Sequence, residues 1–404
     1  MRTMLKLLLT TIVVIAVAGI LGTINGCKPQ ETPSLYDPNW KSLPQPVVDS
    51  LSPGGGAING LDTIRIYGKN FSGNIQEDVV FLNSAIATVV YASSTRLDIT
   101  APSSVSGDSV QVRVSVIGAE KFSSVKYYRI RPGVSSFGNL LANEAAYSVA
   151  VDDSNNLYAS LAASGASEGI VKFTPDGVRQ NYITDTKSAV YWNSMKLGPG
   201  GYTYAVKGLG AIYRYGPGAT GSQATLWVAI TRTGTLVDID FDANKNLWAG
   251  GNNPSIYMVS QAKQVKSFPF NGNVKGLRVY NGYLYISAIV QGSSQIYRAQ
   301  ILGDSITTPQ VYFNMTGVNA NATSIAFSNS GNMYVALDGG AGLIVVPPGG
   351  STYTSPYTSF SSILSNGILS LTMTPDGTIY AASGINALLR ILTHESGSLY
   401  YGLQ

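Results

Sequence analysis

The chain has 404 residues, 45% of them hydrophobic and only 12% charged, with 26 Lys and Arg against 22 Asp and Glu. At roughly 150 residues per domain this length predicts two or three domains, and the charged share is about half that of an average globular protein. The 44 Gly, 25 Tyr and 18 Pro point to many short strands joined by tight turns, because glycine supplies the positive φ of hairpins and tyrosine packs on a pleated face. The aromatic content excludes a disordered chain. No Lys/Arg run or stripe marks a nucleic-acid surface.

Residues 1–26 begin with Arg2 and Lys6 and continue in an uncharged apolar run from Leu7 to Leu21, the pattern of an export signal. At about 15 residues the run falls short of the ~20 that span a hydrocarbon core. Gly26 precedes Cys27, the single cysteine, and Ile24-Asn25-Gly26-Cys27 resembles a bacterial lipobox. The resemblance implies cleavage before Cys27 and lipidation of that residue, and the expected location is the outer membrane, lipid-anchored and facing the cell surface. Residues 28–45 carry four prolines and almost no apolar periodicity, so 27–45 reads as a lipidated cysteine and an extended tether. A lipidated Cys27 leaves no thiol for catalysis.

From residue 46 to residue 131 seven short alternating segments, among them TIRIYGKNF, VVFLN and VQVRVSVIG, predict a β-sandwich. Val48-Asp49-Ser50-Leu51-Ser52-Pro53, Gly55-Gly56 and Ile64 to Phe71 resemble the immunoglobulin-like IPT/TIG family. That resemblance implies a spacer or interaction module without a catalytic set.

Residues 132–404 repeat. An apolar strand, a turn and an aromatic-centred strand recur from Ser148, Ser194, Asp238, Gly276, Ser324 and Ser370, at separations of 46, 44, 38, 48 and 46 residues. A period of about 44 with several strands per unit predicts a six-bladed propeller. Tyr158, Tyr204, Trp248, Tyr285, Tyr334 and Tyr380 share one place in the second strand, where bulk fills the wedge between blades. The pattern, with turns such as Thr174-Pro175-Asp176-Gly177, resembles NHL-type propellers. A strand near Val134–Gly138, or one near Leu399–Leu403, is expected to complete the last blade and remove the open edge. The fold class is therefore all-β, an immunoglobulin-like sandwich followed by a six-bladed propeller.

Little in this region supports catalysis. His394 is the only histidine, so a triad or histidine-rich metal site would rest on it alone. Asp152-Asp153-Ser154-Asn155-Asn156 and Asp242-Ala243-Asn244-Lys245-Asn246 have calcium-like spacing but occupy the first hairpin of a blade, where Asp and Asn suit the turn. Gluconolactonase-like propellers hold a metal with Glu, Asn and Asp. The glutamates here, Glu144, Glu168 and Glu395, fit no such motif, Glu144 being the one to watch. The expectation is a protein that is not an enzyme and has no cofactor or metal.

Binding fits better. The connections Ala162–Glu168 and Ile289–Ser294 are longer than their counterparts and belong to opposite blades, so they are expected to flank the pore, with Gln291 in the second. The segments entering each first strand open on the same face and contribute Tyr147, Tyr191, Trp192, Asn193, Arg232, Asn271, Asn273, Asn319 and Asn321. Aromatic planes stack on sugars, and amides and Arg supply paired hydrogen bonds. Trp192, outside the repeated core position, is the sharpest candidate. The order of lipid, tether, spacer and propeller resembles surface glycan-binding proteins of Gram-negative glycan-uptake systems. The resemblance implies a non-catalytic partner for glycan. A scaffold or adhesin binding an envelope protein, and a metal-dependent lactonase or lyase, remain the alternatives.

Overall fold

The computed structural model describes residues 39–164, 166–184, 191–217, 224–230, 233–384 and 387–403. The export signal, Cys27 and most of the tether lie outside the described residues, as does Arg232.

Strict alternation builds the first region. In Thr63–Lys69, Ile64 and Ile66 are buried while Arg65 and Tyr67 face solvent, the period-2 pattern of a half-buried strand. All seven expected strands form, and a two-residue eighth, Ala57–Ile58, pairs in parallel with Lys126–Arg131. Ala85–Ser93 pairs through residues 85–87 with Asp78–Leu82 and through residues 88–93 with Arg96–Thr100. One continuous eight-stranded sheet thereby wraps around Ile64, Ile66, Val80, Leu82, Leu97, Ile99, Val112 and Val114.

The repeats form a propeller-like arrangement with four separate blades, not the six expected. Three are four-stranded, starting with Glu144–Val151, Ser194–Gly198 and Ser370–Met373, and one, starting with Ala322–Phe327, is three-stranded. The third and fourth repeats share one eight-stranded sheet, because the 16-residue strand Val265–Tyr280 is both the last strand of one and the first of the next. The reason is spacing: only 38 residues separate Asp238 from Gly276, too few for a connecting loop. Asn271 and Asn273, expected in that loop, sit within the strand, and Asn273 faces Asn252 on one side and Ile289 on the other.

All six second-strand aromatics are at most 7% exposed. Tyr204 lies edge-on to Phe241 with centroids 5.1 Å apart, and Tyr285 lies 4.6 Å from Phe327, each reaching the first strand of the following repeat. Hydrogen bonds close the same seams nearer the axis. Ser148 Oγ donates to the Trp192 carbonyl at 2.9 Å, and Ser194 Oγ to Asp238 Oδ1 at 2.5 Å. Leu277 N donates to Asp238 Oδ2 at 2.7 Å, Leu371 N to Ser324 Oγ at 3.2 Å and Val149 N to Ser370 Oγ at 3.3 Å. At the seam between the fourth and fifth repeats the aligned residue is Gly276, where a Cβ would lie 2.7 Å from the Thr323 carbonyl oxygen, and Ala322 N donates to Ser294 Oγ at 3.0 Å. The circuit is closed by Val134–Ser136, which pairs antiparallel with Leu388–Leu392. The last described residues do not form that strand; Tyr401–Leu403 is a 3₁₀ turn.

The sandwich is seated where the three-stranded blade has no fourth strand. Leu61 packs on the cluster that holds Phe360 and Leu364, and Gly60, at φ +74°, leaves room for the Phe360 ring that a Cβ would strike. Asn59, fully buried, donates through Nδ2 to the Ser103 and Val105 carbonyls and accepts from Gly133 N at 2.6 Å. His394 Nε2 meets Asp62 Oδ1 at 2.7 Å across the same seam. An Asn59→Leu variant strands three buried polar partners and should lose about 2–3 kcal/mol of stability, read as a lower denaturant midpoint; an unchanged midpoint would show that the amide does not hold the seam.

Candidate ligand-binding site

The first strands surround a central well of about 300 Å³. Its wall takes one residue from each repeat, the one immediately before the aligned start: Tyr147, Asn193, Val237, Lys275, Thr323 and Leu369. In three repeats the backbone itself aims that residue. Register shifts between Ala146 and Ser148, Val274 and Gly276, and Ala322 and Ser324 leave Tyr147, Lys275 and Thr323 as the extra residues of β-bulges, a device that redirects a side chain and ends pairing at a rim.

Tyr147 and Tyr191 stack with centroids 3.4 Å apart and planes 12° apart. Burial, and then the neighbouring Tyr191, raise the Tyr147 phenol above its ordinary pKa, so it remains a hydrogen-bond donor at neutral pH. Asn321 is braced by Asp338, whose carboxylate accepts from Asn321 N at 2.8 Å and Nδ2 at 2.7 Å. Asp238 lies deeper. Burial pushes its carboxyl above the ordinary aspartate pKa with Asp240 adding to the effect, while Lys196, Ser194 Oγ and Leu277 N pull it back. Below it Arg278 lies between Asp240, 3.5 Å away, and the Tyr400 ring, 5.3 Å from its centroid. Tyr400 donates to the Leu197 carbonyl at 2.8 Å. The C-terminal segment thus occupies the far end of the channel.

Of the residues expected from sequence, the structure brings Tyr147, Tyr191, Asn193 and Asn321 together in the well. Trp192 is a correction. It is fully buried, its ring 5.6 Å from Tyr213 and 5.9 Å from Tyr215 with Lys207 over its face. Along an extended segment alternate side chains face opposite ways, so Tyr191 and Asn193 reach the well and Trp192 enters the seam between the first two blades. Asn319 is exposed and lines a neighbouring depression that shares Asn321 with the well. Asn271, Asn273 and Gln291 do not line the well. The two long connections are not loops: Ala163 pairs with Ala166, and Val290 with Ser293, so each is an extended hairpin, and Gln291 stands exposed at a tip with φ +50°. Asp238, Lys275 and Asp338 were missed.

The other acids serve the fold. Glu144 is enclosed and held by Arg179 at 2.7 Å and by Leu141 N at 2.8 Å. Burial alone would raise its carboxyl, but the hydrogen bonds from Arg179, Glu168 and Leu141 outweigh this and bring it to about 2. Asp152 and Asp242 accept hydrogen bonds within their own turns and from Tyr158 Oη and Trp248 Nε1 respectively. Among the described residues no three His, Cys, Asp or Glu side chains stand close enough to hold a metal ion.

Residues 46–129 match the IPT/TIG domain family, so the sandwich is an IPT/TIG domain. No curated protein matches the sequence. Among solved structures the chain is similar to an auxiliary nutrient binding protein from Bacteroides thetaiotaomicron VPI-5482, at TM-score 0.50 and 12% identity over 88% of this chain and 98% of that one. It is also similar to a gluconolactonase from Xanthomonas campestris, at TM-score 0.52 and 12% identity over 66% of this chain and 89% of that one. At such identities the likeness establishes the fold alone. The class is thus an all-β protein pairing an IPT/TIG domain with a propeller-like body.

The raised Asp238 carboxyl sets a pH dependence. The folded state keeps the proton at pH values where the unfolded chain has lost it, so this residue's contribution to stability declines as pH rises from the ordinary aspartate pKa to the raised one. Asp238→Asn should flatten that decline in unfolding free energies measured between about pH 3 and 7; a decline of wild-type steepness would place the proton elsewhere.

Proposed function

We propose that the chain is a non-catalytic lipoprotein, anchored to the outer membrane through Cys27 and facing the cell surface, whose propeller holds a carbohydrate nutrient in the central well. The propeller is read as an NHL-type ring of six repeats, two of which share a sheet; one rim residue from each of six repeats supports that reading. The observation that carries the function is the parallel pair Tyr147 and Tyr191 beside the amides of Asn193 and Asn321. Flat aromatic faces pack on the apolar face of a sugar ring while amides satisfy its hydroxyls. A well of about 300 Å³ is at the small end of ligand pockets and suits one or two sugar rings.

In this reading the IPT/TIG domain is a spacer. Its docking through Asn59, Leu61 and Asp62 makes it a stiff mount for the propeller, and the tether supplies the reach. A nutrient-binding role also accords with the name of the similar Bacteroides protein.

A glycan array probed with the purified protein, followed by calorimetry with and without a chelator, tests this. Selective binding that survives chelation is expected, and Tyr191→Ala should weaken it about tenfold with little change in melting temperature. Absence of binding to every glycan by protein of native melting temperature would overturn the reading.

A further inference from the structure

We infer that the sugar held in the well carries a carboxylate, as a hexuronate does, and that Lys275 selects it; the inference rests on the carbohydrate reading above. Of the six rim residues contributed by the repeats, Tyr147, Asn193, Val237, Lys275, Thr323 and Leu369, only Lys275 is charged. It is the extra residue of a β-bulge between Val274 and Gly276, so its placement at the rim is built into the backbone.

The charges around it are already engaged. Both Asp238 oxygens accept hydrogen bonds from neighbouring repeats, Oδ1 from Ser194 Oγ and Ile239 N and Oδ2 from Leu277 N, and Lys196 is the cation acting on that carboxyl. Deeper in the channel Asp240 faces Arg278. On the rim the two Asp338 oxygens are taken by the backbone and side-chain N–H groups of Asn321. Among the described residues no carboxylate lies within 4.0 Å of the Lys275 ammonium. The well therefore offers one mobile cation beside an aromatic platform and two amides.

A neutral sugar would leave this ammonium to water. A hexuronate, stacked on an outer face of the Tyr147–Tyr191 pair, would place its carboxylate within the reach of a flexible four-carbon stem and form a charge-assisted hydrogen bond, roughly twice as strong as a neutral one. Thr323 flanks Lys275 on the next repeat, but its hydroxyl donates to the Ile368 carbonyl, so Lys275 is left as the group that meets the carboxylate.

The test is a pairwise titration of the intact protein with galacturonate and galactose, and with the trisaccharide of each. The uronate form should bind about tenfold more tightly at low salt, and the ratio should shrink as salt is raised to about 0.5 M. Lys275→Met should bring the ratio close to one without lowering the melting temperature. Equal affinities for acidic and neutral sugars, or a preference that persists in Lys275→Met, would overturn the inference and leave the carbohydrate reading standing. If no sugar of either kind bound to protein of native melting temperature, both would fall.

Discussion

Everything in the propeller depends on closing the seams between neighbouring first strands. A propeller removes open sheet edges only if its last blade meets its first, and here the meeting is specific: Val149 N donates to Ser370 Oγ while Val134–Ser136 completes the final sheet. The aligned positions Ser148, Ser194, Asp238, Ser324 and Ser370 all take part in bonds across a seam. Gly276 achieves the same end by having no side chain, which lets the adjoining strand approach. Small polar residues recur because a side chain there must be short enough to sit in a narrowing channel and polar enough to satisfy a buried backbone group.

The constraint that shuts the ring also makes the site. With the aligned residues spent on seams, the side chains immediately before them are left at the mouth, and three are turned inward by bulges. Asp238 belongs to both systems. It replaces serine at a seam, where its two oxygens bridge three repeats, and the burial this demands is what raises its pKa. Deeper in, Arg278 is held between Asp240 and the Tyr400 ring.

Much of this was legible in the sequence. The sandwich strands follow from alternation, and the repeat starts, the buried aromatics and the all-β class follow from periodicity. The short step from Asp238 to Gly276 already marked the place where two repeats merge, but a mean period of about 44 residues concealed it. Trp192 was misplaced because composition identifies an aromatic without saying which side of an extended segment it occupies; its neighbours Tyr191 and Asn193, on the same segment, line the well. Lys275 and Asp238 were missed for a different reason. Their signal is a departure from the repeat, an acid where serine recurs and a cation where the other copies are uncharged, and it becomes visible only when the copies are compared column by column. The long connections at Ala162–Glu168 and Ile289–Ser294 are long because their hairpins extend, a distinction that loop length alone cannot draw.

The pairing of Val134–Ser136 with Leu388–Leu392 sets an order on assembly. The IPT/TIG domain has all its strand partners within residues 47–131, so it can fold as soon as that stretch leaves the ribosome or a translocation channel. The strand Val134–Ser136 must wait for its partner until residues 388–392 have been made. A growing chain is thus a folded head followed by an open string of blades, and a protein cut short before residue 388 would keep Val134–Ser136 as a bare edge available to other molecules.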